Sequence, residues 1–591
     1  MTSSGWIQLL LLLAGLVAIT KPMGIFLLRI LDPEREGRTF LDPILGPLER
    51  LVYKILRVKP DQGQTWWQYA MSLFVFSALT MLVTYLLLRF QDKLPGQALF
   101  NPAGLPAVPE HLAFNTAASF VTNTNWQSYG GESTMTYFSQ MVALVLQHFF
   151  SFSVGVAVAA AIVRAIAASG GRTIGNFWRD IVRLVLYLEL PVCILFAAFL
   201  ICQGTPQNFR PYTQAHALDQ SQAVSTTQPS VQSIAQGPVA SMVAIKMQGT
   251  NGGGYMNANA AHPFEDSTPL SNYIQILIFL SVPTGLTYYL GRMVRNQKHG
   301  WAVWTTMFVI FVASTLFCWH FEAAGNPRLT QLGVASGMAG NNMEGKEVRF
   351  GVFNSAFFAN ATTDTGCGAV NSMHDSFTPL GGFIPLLNIQ LGEVIFGGTG
   401  AGLYGMLIFV FVAIFLAGLM VGRTPEYLGK KIDGVDVKLA SLAVLVTAIG
   451  VLFPTAAAGI NFLGNDWGTA GLNNNGPHGL SEILYCFSEG VGNNGSAFAG
   501  LTMNPVTNVV LAFVILVGRY FPMIPILALA GRLVKKKAAP IGPGSFPVTG
   551  ATFVFLLGST VLIVGALTFF PVLALGPVLE HFLMHATHTT F

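Results

Sequence analysis

The residues best placed to do chemistry in this chain are small, neutral and clustered. Asn360-Ala361-Thr362-Thr363-Asp364-Thr365-Gly366-Cys367-Gly368-Ala369 sits between apolar segments, and three stretches echo it. They are Ser119-Phe120-Val121-Thr122-Asn123-Thr124-Asn125-Trp126-Gln127, Met247-Gln248-Gly249-Thr250-Asn251-Gly252-Gly253-Gly254-Tyr255 and Ser488-Glu489-Gly490-Val491-Gly492-Asn493-Asn494-Gly495-Ser496. Gly and Asn reach left-handed or extended backbone at little cost, so turns rich in them let carbonyls point inward. Stacked rings of backbone carbonyls that replace a hydration shell are the chemistry of a potassium filter. The turns align as Val121 to Gln127, Gln248 to Gly254, Thr362 to Gly368 and Gly490 to Ser496. In that register the fourth column is always Thr or Asn and the fifth always Asn or Gly. One such turn alone reads as an ordinary loop; the fourfold recurrence carries the inference.

Other chemistries fit less well. Asp364-Thr365-Gly366 spells the aspartic-protease triplet, but that reaction needs two carboxylates sharing a proton and no second copy exists. The same triplet lacks the Lys of the P-type pump phosphorylation sequence, and no GxxxxGK[ST] phosphate loop is present, so the chain does not itself handle ATP. No His/Glu, Ser/His or double-Asp set lies within the apolar runs, which argues against a membrane-embedded enzyme. Five scattered cysteines without a CxxC spacing suggest neither a disulfide framework nor a zinc site, and a net charge of +4 without a long basic run does not point to nucleic acid.

The elements that must position the turns are membrane spans. Only 10% of the 591 residues are charged, against about 25% in a soluble protein. Ten apolar runs follow one another, at about 6–20, 67–90, 137–166, 181–202, 271–291, 301–321, 402–421, 439–460, 505–530 and 551–577. The first has no basic residue before it and Lys21 directly after, so it reads as an uncleaved span rather than a secretory signal. Of the 31 Lys and Arg, 24 fall in the terminal-distal alternate segments 21–59, 164–183, 292–298, 423–438 and 519–537. Cytoplasmic loops collect such residues, so both termini and all four turns are expected outside.

Ahead of each turn runs a stretch too short to span: 110–120, 237–247, 352–361 and 479–487. A helix of about ten residues reaches only halfway through the bilayer, and irregular backbone at that depth is tolerated only where it lines a cavity. The predicted fold is therefore an all-α polytopic membrane protein of ten transmembrane helices. Four membrane-pore-membrane repeats with re-entrant pore helices and filter loops surround a pseudo-fourfold pore: 65–170, 180–295, 300–425 and 437–532. Segments 1–25 and 549–578 supply extra terminal helices to this single membrane domain.

The filter set read from the register is Thr122, Asn123, Thr124, Asn125, Gly249, Thr250, Asn251, Gly252, Thr365, Gly366, Cys367, Gly368, Gly492, Asn493, Asn494 and Gly495. Asp364 and Glu489 are expected to support it by accepting backbone N–H bonds. Glu132, Glu265 and Asp375 are expected in the vestibule, and Asn257 and Asn259 are candidates to close the upper filter with side-chain carbonyls. Glu265-Asp266-Ser267-Thr268-Pro269-Leu270 returns as Asp375-Ser376-Phe377-Thr378-Pro379-Leu380, a second echo after the turns. The glycines of 396–405, among them Gly397, Gly398, Gly400 and Gly402, predict a broken helix, since each interior Gly costs a continuous helix roughly 1 kcal/mol. An intramembrane gating loop and close packing of small residues explain them equally well. The polar stretch 203–236 carries no motif.

The four turns, the Gly397 to Gly405 break, Gly422-Arg423-Thr424-Pro425-Glu426-Tyr427-Leu428-Gly429-Lys430-Lys431 and the ten-helix layout resemble the KdpA family, the potassium-binding subunits of the Kdp potassium-transporting ATPases, over nearly the whole chain. The resemblance implies the superfamily that includes Trk, Ktr and HKT transporters, and a location in the bacterial cytoplasmic (inner) membrane. It implies that K+ is the bound substrate, with no cofactor, and that a P-type ATPase subunit (KdpB) supplies the driving force, with KdpC and KdpF completing the complex. It places Asn123, Thr250, Asn251, Gly252, Asn259, Cys367, Gly368 and Asn494 at the ion path, and Gln127 at a position that tunes affinity. Asn125 and Cys367 depart from a symmetric TVGYG ring. The alternative reading is a stand-alone Trk/Ktr-like potassium channel or cation symporter.

Overall fold

The computed structural model of the chain describes residues 1–216, 231–331, 333, 342–422, 424–540 and 546–586. In chain order its main helices are α1 Ser3–Leu31, α2 Trp66–Arg89, α3 Glu110–Val121, α4 Ser139–Ala167, α5 Phe177–Cys202, α6 Val239–Gln248, α7 Pro269–Met293 and α8 Gln297–Ala324. They continue as α9 Gly351–Thr365, α10 Pro379–Gln390, α11 Ala401–Met420, α12 Gly434–Gly459, α13 Gly476–Gly492, α14 Pro505–Leu533, α15 Ala551–Leu573 and α16 Leu579–Ala586. Among the described residues ten helices are long and apolar enough to cross a membrane, α15 and α16 counting as one run. Ten crossings place the loops that hold α3, α6, α9 and α13 on one face.

The starts of these helices are written locally. Thr65, Thr268, Asp433 and Asn504 cap α2, α7, α12 and α14, each in a reciprocal box with the residue three further on. Pro269 and Pro505 take the first helical position, where no N–H is needed. The second sequence echo is this same device. Thr268-Pro269 opens α7, and Thr378-Pro379 opens α10, a helix that the apolar runs do not reveal.

α1 is longer than its apolar run suggests. It continues through Lys21 and Pro22 to Leu31, with Lys21 exposed. Contact with α7 carries it on: Thr20 Oγ1 lies 2.7 Å from Thr284 Oγ1, and Gly24 and Gly285 let the two backbones approach. Small residues at such a crossing replace the hydrophobic effect, which lipid does not supply.

Burial sorts the spans into shells. The apolar windows of α4 and α7 are 83% buried, against 28% for α1 and 22% for α2, so the first pair stands at the centre and the second toward lipid. On the face away from the turns, Arg164 ties several helices together. It donates to Asp32 at 2.8 Å and Asp180 at 2.7 Å, while Tyr289 donates to Asp32 and Tyr69 to Asp180. On the same face Arg532 and Lys536 grip Asp433 and Asp436 at the start of α12.

The polar stretch 203–236 lies outside the described residues over 217–230; on either side, β1 Thr213–His216 pairs antiparallel with β2 Val231–Ile234. Arg423 of the 422–431 motif also lies outside them.

Candidate ion-conducting site

Each short helix ends in the same backbone device. The amide of Thr124 donates to Ser119 O, that of Asn251 to Lys246 O, that of Cys367 to Thr362 O and that of Asn494 to Glu489 O, at 2.8–3.0 Å. The residue before each donor is left-handed: Asn123 (φ 67°), Thr250 (φ 48°), Gly366 (φ 65°) and Asn493 (φ 63°). Helices commonly end this way, on Gly or Asn that tolerates the conformation.

These bonds fix the true register of the repeat. Thr124, Asn251, Cys367 and Asn494 are equivalent, followed by Asn125, Gly252, Gly368 and Gly495. The alignment drawn from composition is therefore displaced, by two residues in the third turn and by one in the fourth. Its cause is visible in α9 and α13, which run on to Thr365 and Gly492. Asp364, Thr365 and Gly492 accordingly sit in the last helical turn, ahead of the loop proper.

Close backbone contacts then join the turns into a ring. A Cβ on Gly252 would collide with the backbone of Gly368 and Ala369, and one on Gly368 with Asn494 and Gly495. One on Gly495 would strike Thr124 and Trp126, and one on Gly253 would press on Asn125 Cβ at 2.8 Å. The contacts thus run from the second turn to the third, the fourth, the first and back to the second. Gly252 and Gly495 also have positive φ, so side chains are excluded there by space and by conformation.

Side chains reinforce the ring. The Asn123 amide donates to Thr250 O at 3.0 Å while its Oδ1 accepts from Asn251 and Ser151. Asn493 donates to Thr124 Oγ1 at 2.9 Å, and Asn494 to Thr362 O at 3.3 Å. Gln127 makes a two-way bridge, donating to Gly254 O and accepting from Gly254 N, each at 2.8 Å. Among the described residues, both atoms of the Asn125 amide, the Thr250 hydroxyl and Asn251 Oδ1 are buried without a protein partner. Orphans of this kind are uncommon and call for a water or an ion.

Several expected roles change. The Asn259 side-chain carbonyl accepts from Lys246 Nζ at 2.7 Å, and its amide donates to Gly252 O. Asn259 therefore holds the backbone of the second turn, and its carbonyl is turned to a cation of the protein. Glu265 is fully buried, ion-paired to Lys246, and not a vestibule charge. Lys246 was not singled out by sequence reasoning, although a Lys inside a short apolar helix was itself a signal, because a buried cation needs a partner. Asn257 presents its backbone N–H to Glu132 Oε2 at 2.8 Å. Asp364 Oδ2 accepts from the Asn360 amide at 3.1 Å, and Glu489 lies against Ser496. Asp364 thus meets a side-chain amide rather than a backbone N–H, while Glu489 has both the backbone N–H and the hydroxyl of Ser496 beside it.

Below the ring the chain breaks. Between the end of α10 at Gln390 and the start of α11 at Ala401 it leaves helical geometry, and Gly400 (φ 77°) precedes α11. Gly398 N donates to Thr365 O at 2.5 Å, and a Cβ on Gly398 would meet Thr250 and Thr365 O. Gly397 packs on Gly402 across the break. Arg519 of α14 fastens the segment, donating to Thr399 Oγ1 at 3.2 Å and to Ser151 O at 3.1 Å.

Ten crossings, four half-crossing helices and one ring of turns define a pore-loop protein of the membrane. The chain matches the potassium-transporting ATPase A subunit family over residues 10–582, and it belongs to that family. A potassium-transporting ATPase potassium-binding subunit of Koribacter versatilis is 51% identical over 99% of both chains, and one of Methylobacterium nodulans 52% identical over 98% of both. A crystal structure of the potassium transporter TrkH from Vibrio parahaemolyticus covers 75% of this chain and 84% of its own, with 14% identity and a TM-score of 0.46. The chain is thus a multi-pass potassium-transport subunit, not itself the ATPase.

Proposed function

We propose that the four turns form the selectivity filter through which a bacterial uptake complex takes K+ from outside, and that the ion then passes to a P-type ATPase subunit (KdpB), with KdpC and KdpF completing the assembly. The observation that carries this reading is the closed ring of backbone contacts among the four turns, with orphaned buried polar atoms on its residues. Backbone held by neighbouring turns keeps its carbonyls in place for a dehydrated cation, and the glycines keep side chains out of the way. The family membership and the relatives' names favour K+ as the ion. The Lys and Arg distribution favours an inner-membrane orientation with both termini and the ring outside.

The break from Leu391 to Gly400 suits a gate beneath the filter, because it is non-helical backbone that abuts the second and third turns. Beside it lies a cavity of about 110 Å³, lined in part by Gln390, Tyr404, Asn493 and Arg519.

Potassium uptake into proteoliposomes tests the reading. Uptake that needs both the ATPase partners and ATP is the expected result. Gradient-driven flux by this chain alone would make it a stand-alone channel or symporter.

A further inference from the structure

A second constellation lies outside the ring. Asp375, just past the third turn, and His478 and Glu482, one helical turn apart on α13, bring one ligand atom each to within 4.8 Å of one another. The spacing of His478 and Glu482 sets both on one face of the helix. His478 Nδ1 lies 2.8 Å from Glu580 Oε1 on α16, and its Nε2 3.2 Å from Asp375 Oδ1. His478 is thus held between two carboxylates, and the Glu580 contact on Nδ1 would remain if a metal ion displaced the Nε2 proton shared with Asp375. A metal-binding histidine is usually oriented in this way by a carboxylate on its other nitrogen.

The surroundings point to an occupant. The three residues line a cavity of about 40 Å³, which exceeds the space one water needs. His374 lines the same cavity with its Nδ1 on Tyr485 Oη at 2.6 Å. Its Nε2, although buried, has no partner among the described residues. Glu482 is held by Asn474, which donates to Oε1 at 2.9 Å, so its carboxylate is positioned rather than free to turn away.

We propose that Asp375, His478 and Glu482 bind a divalent transition metal of the zinc class, with Glu580 orienting the imidazole. Imidazole nitrogen and carboxylate oxygen are both ligand types zinc takes, and three protein ligands with room for water is the count of an open zinc site. The ion would replace the contact between His478 and Asp375. It would join the exit of the third turn to the start of the fourth pore helix, with α16 locked on through Glu580. Its ligands are not residues of the ring, and the proposal does not depend on the filter reading.

The test is Zn2+ binding by the purified full assembly, measured by equilibrium dialysis with 65Zn and by the thermal midpoint with and without ZnSO4. The wild-type assembly should bind one more Zn2+ per chain than His478→Gln or Glu482→Gln, and Zn2+ should raise the midpoint of the wild type only. Glu580→Gln should weaken binding about 10- to 100-fold. Glu482→Gln keeps the Asn474 contact through its amide oxygen, so it guards against a folding failure in His478→Gln. Equal stoichiometry and affinity in the wild type and both ligand variants would overturn the proposal and leave His478 as a plain bridge between Asp375 and Glu580.

Discussion

The second and fourth turns hold equivalent places in the ring, yet the residue whose carbonyl receives the equivalent bond is Lys246 in one and Glu489 in the other. Lys246 reaches Glu265 and Asn259, and Asn259 in turn grips Gly252 O, so a buried ion pair is built into the back of the second turn. Glu489 forms no ion pair among the described residues, and the fourth turn is held by neutral amides at Asn493 and Asn494. The backbone repeats fourfold while its support does not. What the ring requires is therefore backbone geometry, which opposite charges can hold equally well.

The largest expected effect comes from attacking what the turns share. Gly252→Asp and Gly368→Asp push a side chain into neighbouring backbone, and each should lower discrimination of K+ over Na+ by about tenfold or more, or about 1.4 kcal/mol. Rubidium and sodium competition in uptake assays measures it. Wild-type discrimination in either variant would refute that ring contact.

Next come the supports. Lys246→Met leaves Glu265 buried and unpaired, and breaking such a pair costs about 3–5 kcal/mol. The thermal midpoint should fall sharply, and most of the loss should return in the double variant Lys246→Met/Glu265→Leu. Glu489→Gln, which removes a charge without an ion-pair partner, should leave the midpoint unchanged or raise it. If the two single variants behave alike, the contrast between the turns fails. Gln127→Ala removes the two-way bridge to Gly254, with a cost of about 1–3 kcal/mol. A raised KM for K+ with kcat retained is the expected signature.

The smallest effect lies on the opposite face. Partial burial pushes the Asp433 carboxyl up, but bonds from Lys536 and the Asp436 amide and the Lys536 and Arg532 charges outweigh it and bring it down to about 2. A lowered carboxylate stabilises the fold above its unfolded value of about 4, and that contribution fades only as pH falls through about 2. Asp433→Asn should thus lower the midpoint slightly, since exposed pairs are worth about 1 kcal/mol or less. That decrement should stay constant between about pH 8 and pH 5, within the charged range. A decrement that vanished within that range would remove Asp433 from the clamp.

Much of this was legible in the sequence, because spans and half-spans declare themselves by length and hydropathy. The ten runs, the four short helices and the glycine break all follow from such patterns. The register did not, since Thr362-Thr363-Asp364-Thr365 has the composition of a turn but finishes a helix whose end is set by the left-handed Gly366. α10 escaped because its start is a Thr-Pro cap within a stretch too short to read as a span. The pairing of Lys246 with Glu265, expected in the vestibule, also escaped, since nothing in a linear pattern shows that two residues 19 apart are buried against each other.

Anomalous scattering from Tl+ in crystals of the assembly would locate the ion directly. The expected result is a peak within coordination distance of the backbone carbonyls around Thr124, Asn251, Cys367 and Asn494, lost in Gly368→Asp. Tl+ bound elsewhere in the chain, with no density inside that ring, would contradict a filter made by the four turns.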